Sequence, residues 1–203
     1  MKKIRIQIVE DDPDYHYLIE RALKSVHDFE LCTGCYDGHS ALSAALREQP
    51  DIVLMDLNLS KNELDGIETA RKIRLTTNAR IIILTSYENS ETVIQASTRA
   101  FASAYLYKSS FSTLIPTIRE TAENVTPQTH LICSVLLAPL TDAERSILFY
   151  TLGQNIELHS SSKTIYNQQA GILRKLDLAS KKELIHIFRA YGYTALPDEL
   201  FSE

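Results

Sequence analysis

Apolar residues recur along this chain with two different periods, and the change from one to the other divides it. Short runs that are apolar at alternate or successive positions predict strands at Ile4 to Val9, Phe29 to Cys35, Asp51 to Asp56, Arg80 to Thr85 and Ala104 to Tyr107. The third and fourth, DIVLMD and RIIILT, are almost wholly apolar, the mark of strands buried on both faces. Between the strands the spacing becomes helical: Tyr15, Leu18, Ile19, Ala22, Leu23 and Val26 fall on one stripe, as do Val93, Ile94, Ser97 and Phe101, and Leu114, Ile115 and Ile118. Strands alternating with helices predict an α/β domain over residues 1–124, a doubly wound five-stranded parallel sheet. Pro116 conflicts with its helical stripe unless it lies in the first turn, which moves the expected start of that helix later.

Beyond Asn124 only the helical period remains. Thr126-Pro127 reads as an N-cap with proline at the first helical position, leading into Leu131, Ile132, Val135 and Leu136. Thr141 to Glu144 and Ser180 to Glu183 have the spacing of capping boxes, and a further start falls at Ser161 or Ser162, ahead of Ile165, Ile172, Leu173 and Leu176. We expect a second, all-α domain: residues 125–139 as linker and first helix, 140–192 as the remaining helices, and 193–203 as an acidic tail. Leu184, Ile185, Ile187, Phe188 and Tyr191 stripe the last helix as core, with part of that stripe a candidate dimer face.

Composition changes little. The 203 residues are 44% hydrophobic and 23% charged with a formal net charge of −5. Leu131 to Leu140, the longest apolar stretch, is too short for a bilayer span, and Met1-Lys2-Lys3 leads directly into a strand pattern, so a cytoplasmic location without membrane contact is expected. Three cysteines do not make a disulfide framework. His27, Cys32, Cys35 and His39 have zinc-like spacing, but cysteines three apart on a strand point to opposite faces, so they are expected as buried small side chains.

The chemistry lies at the strand ends. In an open α/β sheet these ends share one edge, where ligands bind. The first strand brings Glu10 and Asp11 there, the third Asp56, the fourth Thr85 and the fifth Lys108. Hard carboxylate oxygens at an open edge suit Mg²⁺, leaving Asp56 as a nucleophile whose phosphorylated form is neutralised by metal and by Lys108. Asp12, before Pro13, is placed to cap the first helix.

These residues in this order resemble the receiver domain of two-component response regulators over residues 1 to about 122. The resemblance implies Asp56 as phosphoacceptor, Asp11 as a direct Mg²⁺ ligand, Glu10 as a ligand through water and the Asn58 backbone carbonyl as a further ligand. It implies Thr85 as switch hydroxyl, Lys108 as phosphate contact and Tyr105 as switch aromatic, though Tyr105 also fits a core position. The chain departs from the family in the loop after Asp56, LNLSKNELDGIE, which is longer and has Ser60 for a proline, and in Ser109, which follows Lys108 where proline is common. Tyr87 and the Asn58 side chain are placed to shield an acyl phosphate from water.

Residues 140–191 resemble the LuxR-type helix-turn-helix of the NarL/FixJ group. The implied DNA-contacting candidates are Lys163, Tyr166, Asn167, Gln168, Ala170 and Arg174, with asparagine and glutamine suited to adenine edges. Only GQNIELHSS stands between Leu152 and Ser162, so the supporting helix is expected to be reduced to a turn or lost. Gly171 weakens the recognition helix by about 1 kcal/mol relative to alanine. Seven Lys/Arg against five Asp/Glu in residues 140–192 give a net of +2, low for a phosphate-binding module.

The function expected is therefore a non-enzymatic response regulator, phosphorylated by a sensor histidine kinase, dimerising, and binding promoter DNA. A phosphorylation-dependent protein-binding regulator is the alternative. A phosphohydrolase on a similar fold would need a general acid two residues after its nucleophile, where this chain has Asn58.

Overall fold

The structure is a computed structural model describing residues 2–59, 65–86, 89–158 and 161–193. Five parallel strands, β1 (Ile4–Val9), β2 (Phe29–Leu31), β3 (Ile52–Asp56), β4 (Arg80–Thr85) and β5 (Ala104–Tyr107), form one sheet in the order β2-β1-β3-β4-β5. All five residues of β3 are buried, as its apolar run requires of a central strand. Helices α1 (Pro13–Lys24), α2 (Gly38–Glu48), α3 (Asp65–Thr76), α4 (Ser90–Arg99) and α5 (Leu114–Glu123) alternate with the strands. Ile6, Ile8, Ile19, Leu23, Ile52, Leu54, Ile82, Leu84, Leu114 and Ile118 belong to one buried cluster that joins α1 and α5 to the sheet.

Local chemistry explains the boundaries. Asp12 caps α1, its carboxylate accepting from Asp14 N–H and Tyr15 N–H, with Pro13 at the first helical position. Asn89 caps α4 in the same way. Pro116 is the third residue of α5, where no intrahelical partner is lost, and a 3₁₀ segment over Lys108–Thr113 leads into it; α5 thus starts earlier than the proline suggests.

The second strand is the main departure. The reading to Cys35 overshoots, because β2 ends at Leu31. Beyond it, the Thr33 N–H and hydroxyl both donate to the Glu48 carboxylate, pulling the chain out of the ladder. Gly34 passes beneath the His16 ring, where a Cβ would lie 2.5 Å from Nε2, and Cys35 then rejoins the sheet as a bridge to Val9.

The C-terminal helices are α6 (Pro127–Leu137), α7 (Asp142–Thr151), α8 (Ser162–Lys175) and α9 (Lys181–Ala190). The chain divides into compact units at Ile132 and Cys133, so the first turns of α6 belong with the sheet. There the Gln128 side-chain carbonyl accepts from Tyr105 N–H at 3.0 Å, and the Thr129 hydroxyl donates to the Ser103 carbonyl at 2.8 Å. Ile132 and Leu136 of α6 are buried, whereas Leu131 and Val135 are exposed.

In the second unit Thr141 and Glu144 form a reciprocal capping box on α7, and Ser161 caps α8. On α9 Ser180 accepts from Glu183 N–H, but the Glu183 carboxylate reaches Ala179 N–H, one residue beyond the simple box. Ile147, Leu148, Ile172, Leu184, Ile187 and Phe188 are buried here. Among the described residues between α7 and α8 there is no helix. Among the described residues no helix is long and apolar enough to cross a membrane.

Candidate functional site

Sheet register assembles the site. Val9 lies opposite Met55, Asp56 opposite Leu84, and Thr85 opposite Tyr107. Glu10 and Lys108, each one residue past its strand, therefore leave the sheet on the edge that carries Asp56 and Thr85. Glu10, Asp56 and Thr85 are buried and Asp11 is exposed. Carboxylate oxygens of Glu10, Asp11 and Asp56 come within 4.8 Å of one another, one exposed and two buried, a donor set of hard oxygens open on one side.

Lys108 Nζ stands 2.8 Å from Glu10 Oε1, 2.7 Å from Oε2 and 3.0 Å from Asp56 Oδ2. Burial, reinforced by the nearby Asp56 charge, pushes the Glu10 carboxyl up to about 7 despite the Lys108 contact. Burial alone pulls the Lys108 ammonium down, but its bonds to Glu10 and Asp56 outweigh it and leave the pKa raised. The cation thus stays charged while the carboxylates compete for it.

Two residues that support this pair were not singled out from the sequence. Tyr15, read only as part of a helical stripe, has its ring centroid 4.7 Å from Lys108 Nζ and donates its hydroxyl to the Lys108 carbonyl at 3.2 Å. Gly66 packs on the nucleophile's own backbone: a Cβ there would lie 2.1 Å from the Asp56 carbonyl oxygen and 2.7 Å from that of Leu57. The Asp65-Gly66 dipeptide after the strand was the available clue, since a close backbone approach needs glycine.

Asn58 is half-buried just beyond Asp56, between buried Leu57 and Leu59. Tyr105 is half-buried on β5, with its ring edge-on to Tyr107 at 6.0 Å. Ser60 and Tyr87 lie outside the described residues.

On α8, Lys163, Tyr166, Asn167, Ala170 and Arg174 are exposed at helical spacing along one side, and Tyr166 is 72% exposed. Gln168 lies on another side of α8, partly buried with its Oε1 enclosed. Gly171 has a local reason: a Cβ would come 3.3 Å from Glu144 Oε1, whose partner oxygen accepts from Lys175 at 2.6 Å. The glycine gives α8 room to lie against the α7 capping box.

Known proteins give the same outline. Residues 6–119 match the family model for the response regulator receiver domain. A Bacillus subtilis protein described as the uncharacterized transcriptional regulatory protein YxjL is 31% identical over 122 residues, spanning 59% of this chain and only 55% of that protein. A nitrate/nitrite response regulator homolog of Haemophilus influenzae is 27% identical over 196 residues, covering 88% of this chain and 93% of that one. The fold of Salmonella typhimurium RcsB superposes with a TM-score of 0.52 at 20% identity over 93% of this chain and 99% of that chain, and shows fold likeness alone.

Proposed function

This chain belongs to the response regulator receiver family, and from that premise we propose that it is a two-component transcriptional regulator switched by phosphorylation of Asp56. The single observation that carries the reading is the buried Asp56 carboxylate bonded to Lys108 beside Glu10 and Asp11. The donor set fits Mg²⁺: Asp11 and Asp56 would hold it directly, the Asn58 carbonyl would add a ligand and Glu10 would act through water. Bound there, Mg²⁺ would supply positive charge to the phosphoryl oxygens.

A carboxylate oxygen of Asp56 attacks the phosphorus of a phosphohistidine on a sensor kinase; the new O–P bond forms as the P–N bond breaks, and the imidazole leaves with the electron pair and takes a proton. Lys108 stabilises charge on the transferred group without moving far, since it already touches Asp56. Thr85 offers its hydroxyl to the product. Tyr105 lies on β5, whose backbone Gln128 of α6 engages, so a rearrangement at Tyr105 reaches the first turns of α6.

The second unit binds DNA through the exposed side of α8, with Lys163 and Arg174 on phosphates and Asn167 on a base edge. Phosphorylation favours a dimer that presents two such helices to promoter half-sites. The absence of a helix between α7 and α8 among the described residues favours a second reading, in which this unit contacts a protein.

Intact-mass measurement after treatment with a small phosphodonor and Mg²⁺ tests the site: one phosphoryl group is gained by the wild type and none by Asp56→Asn. Selection from random DNA with the phosphorylated protein tests the output. A recurrent half-site that is lost with Asp56→Asn supports DNA binding, and no enrichment at any salt concentration supports the protein-binding reading.

A further inference from the structure

We propose that Tyr15 is the positioning residue for Lys108, fixing where its ammonium stands between Glu10 and Asp56 and thereby setting the rate at which Asp56 takes up a phosphoryl group. The proposal rests on the reading of Asp56 as phosphoacceptor.

A lysine ammonium rides on a flexible four-carbon stem, and charge stabilisation is strongest when the charge is already in place. Glu10 and Asp56 both attract Lys108 without settling which of them holds it. Tyr15 adds a restraint of another kind. Its ring face lies 4.7 Å from Nζ, inside cation–π range, and is uncharged, so it steadies the ammonium without adding an anion that competes with phosphate.

The same side chain holds the lysine's backbone, because its hydroxyl donates to the Lys108 carbonyl at 3.2 Å. Ser109 follows Lys108 and has no ring to restrict φ, so this bond supplies a restraint that the local sequence lacks. Burial raises the Tyr15 pKa and keeps the hydroxyl a donor.

Tyr15 is itself anchored. Its N–H donates to the Asp12 carboxylate at 3.2 Å, and Phe111 meets its ring edge-on at 6.2 Å and 74°. Asp12 and Pro13 thus set the start of α1 at the point that brings its third residue under the lysine.

Labelling rates with a small phosphodonor and Mg²⁺ are compared for the full-length wild type, Tyr15→Phe, Tyr15→Leu, Lys108→Ala and the double variant Tyr15→Leu/Lys108→Ala. Tyr15→Leu is expected to label about tenfold more slowly at saturating phosphodonor, with Tyr15→Phe regaining most of the loss. In the Lys108→Ala background the Tyr15→Leu loss is expected to vanish, because the residue acts through the lysine. An equal loss in both backgrounds, or no loss with Lys108 present, overturns the proposal.

A second measurement decides the matter if Lys108→Ala takes up no label. The Lys108 ε-methylene proton resonance, close to the Tyr15 ring, is expected to show a ring-current shift that Tyr15→Phe keeps and Tyr15→Leu removes. A resonance unaffected by Tyr15→Leu overturns the proposal. A wild type that gains no phosphoryl group overturns the phosphoacceptor reading and this proposal with it, whereas a labelled wild type matched by Tyr15→Leu overturns the positioning role alone.

Discussion

The strand-end pocket and the exposed side of α8 are both candidate working surfaces, but they are built in opposite ways. The pocket draws Glu10, Asp56, Thr85 and Lys108 from four strand ends, so each group is held by the register of the whole sheet. The α8 surface draws Lys163, Tyr166, Asn167, Ala170 and Arg174 from one helix, so any of them can be exchanged without disturbing the rest. Chemistry that needs several groups converging on one atom is therefore closely specified by the fold, whereas groove recognition from a helix is free to drift. The carboxylates of Glu10, Asp11 and Asp56 around Lys108, beside a thin basic complement on α8, fit that contrast.

The largest expected effect lies in the pocket. Lys108→Met leaves two buried carboxylates without their cation and is expected to destabilise the metal-free protein by about 3 kcal/mol, measured by urea unfolding. Added Mg²⁺ should restore part of that loss, because it binds the folded form. A loss as small as that from a surface lysine would mean that the pocket groups are no more interdependent than those on α8.

Gly66→Ala comes next, since its Cβ meets the Asp56 backbone at 2.1 Å. It is expected to cost about 2 kcal/mol and to slow phosphoryl uptake, measured by unfolding and by labelling.

The pH dependence of Mg²⁺ binding is smaller. Glu10 has a folded-state pKa raised to about 7, so it takes up a proton as pH falls through that value and no longer serves as an anion. Magnesium affinity, followed by calorimetry, should drop about tenfold per unit below pH 7 and level off above it. The same raised pKa means that ionising Glu10 costs the metal-free fold stability between its unfolded value of 4.5 and about 7, so that stability falls as pH rises across this window.

Glu144→Gln, in the C-terminal helices, has the smallest expected effect. Glu144 is held below the ordinary carboxylate range by its Lys175 bond and by the Thr141 N–H. Its stabilising contribution is present above the unfolded pKa and is lost as pH falls through the lower folded value. The variant is expected to cost about 1 kcal/mol, confined to the C-terminal helices and leaving phosphoryl uptake unchanged, measured by hydrogen exchange and labelling.

Much of this was legible because periodicity and polarity agree. The ends of β1, β3, β4 and β5 and the five pocket groups follow from apolar runs closing on a charge or a hydroxyl. What stayed hidden depends on contacts between distant segments. The early end of β2 comes from Glu48 capturing Thr33. Tyr15 looks like any aromatic on a helical stripe until the fold brings Lys108 against it, and Gly171 looks like a defect until Glu144 is placed beside it. The inward turn of Gln168 is likewise invisible to a pattern that reads only residue type.

The seating of Gln128 and Thr129 on β5 has a consequence for how the chain can be divided. β5 is one of the two edge strands; the Gln128 side chain accepts from its Tyr105 N–H, and the Thr129 hydroxyl donates to the carbonyl of Ser103, the residue just before it. A fragment cut after Asn124, the natural stop on sequence grounds, would bare both groups as a template for strand addition by another copy. A receiver fragment that keeps residues up to Ile132 is therefore expected to stay monomeric in analytical ultracentrifugation where one ending at Asn124 self-associates.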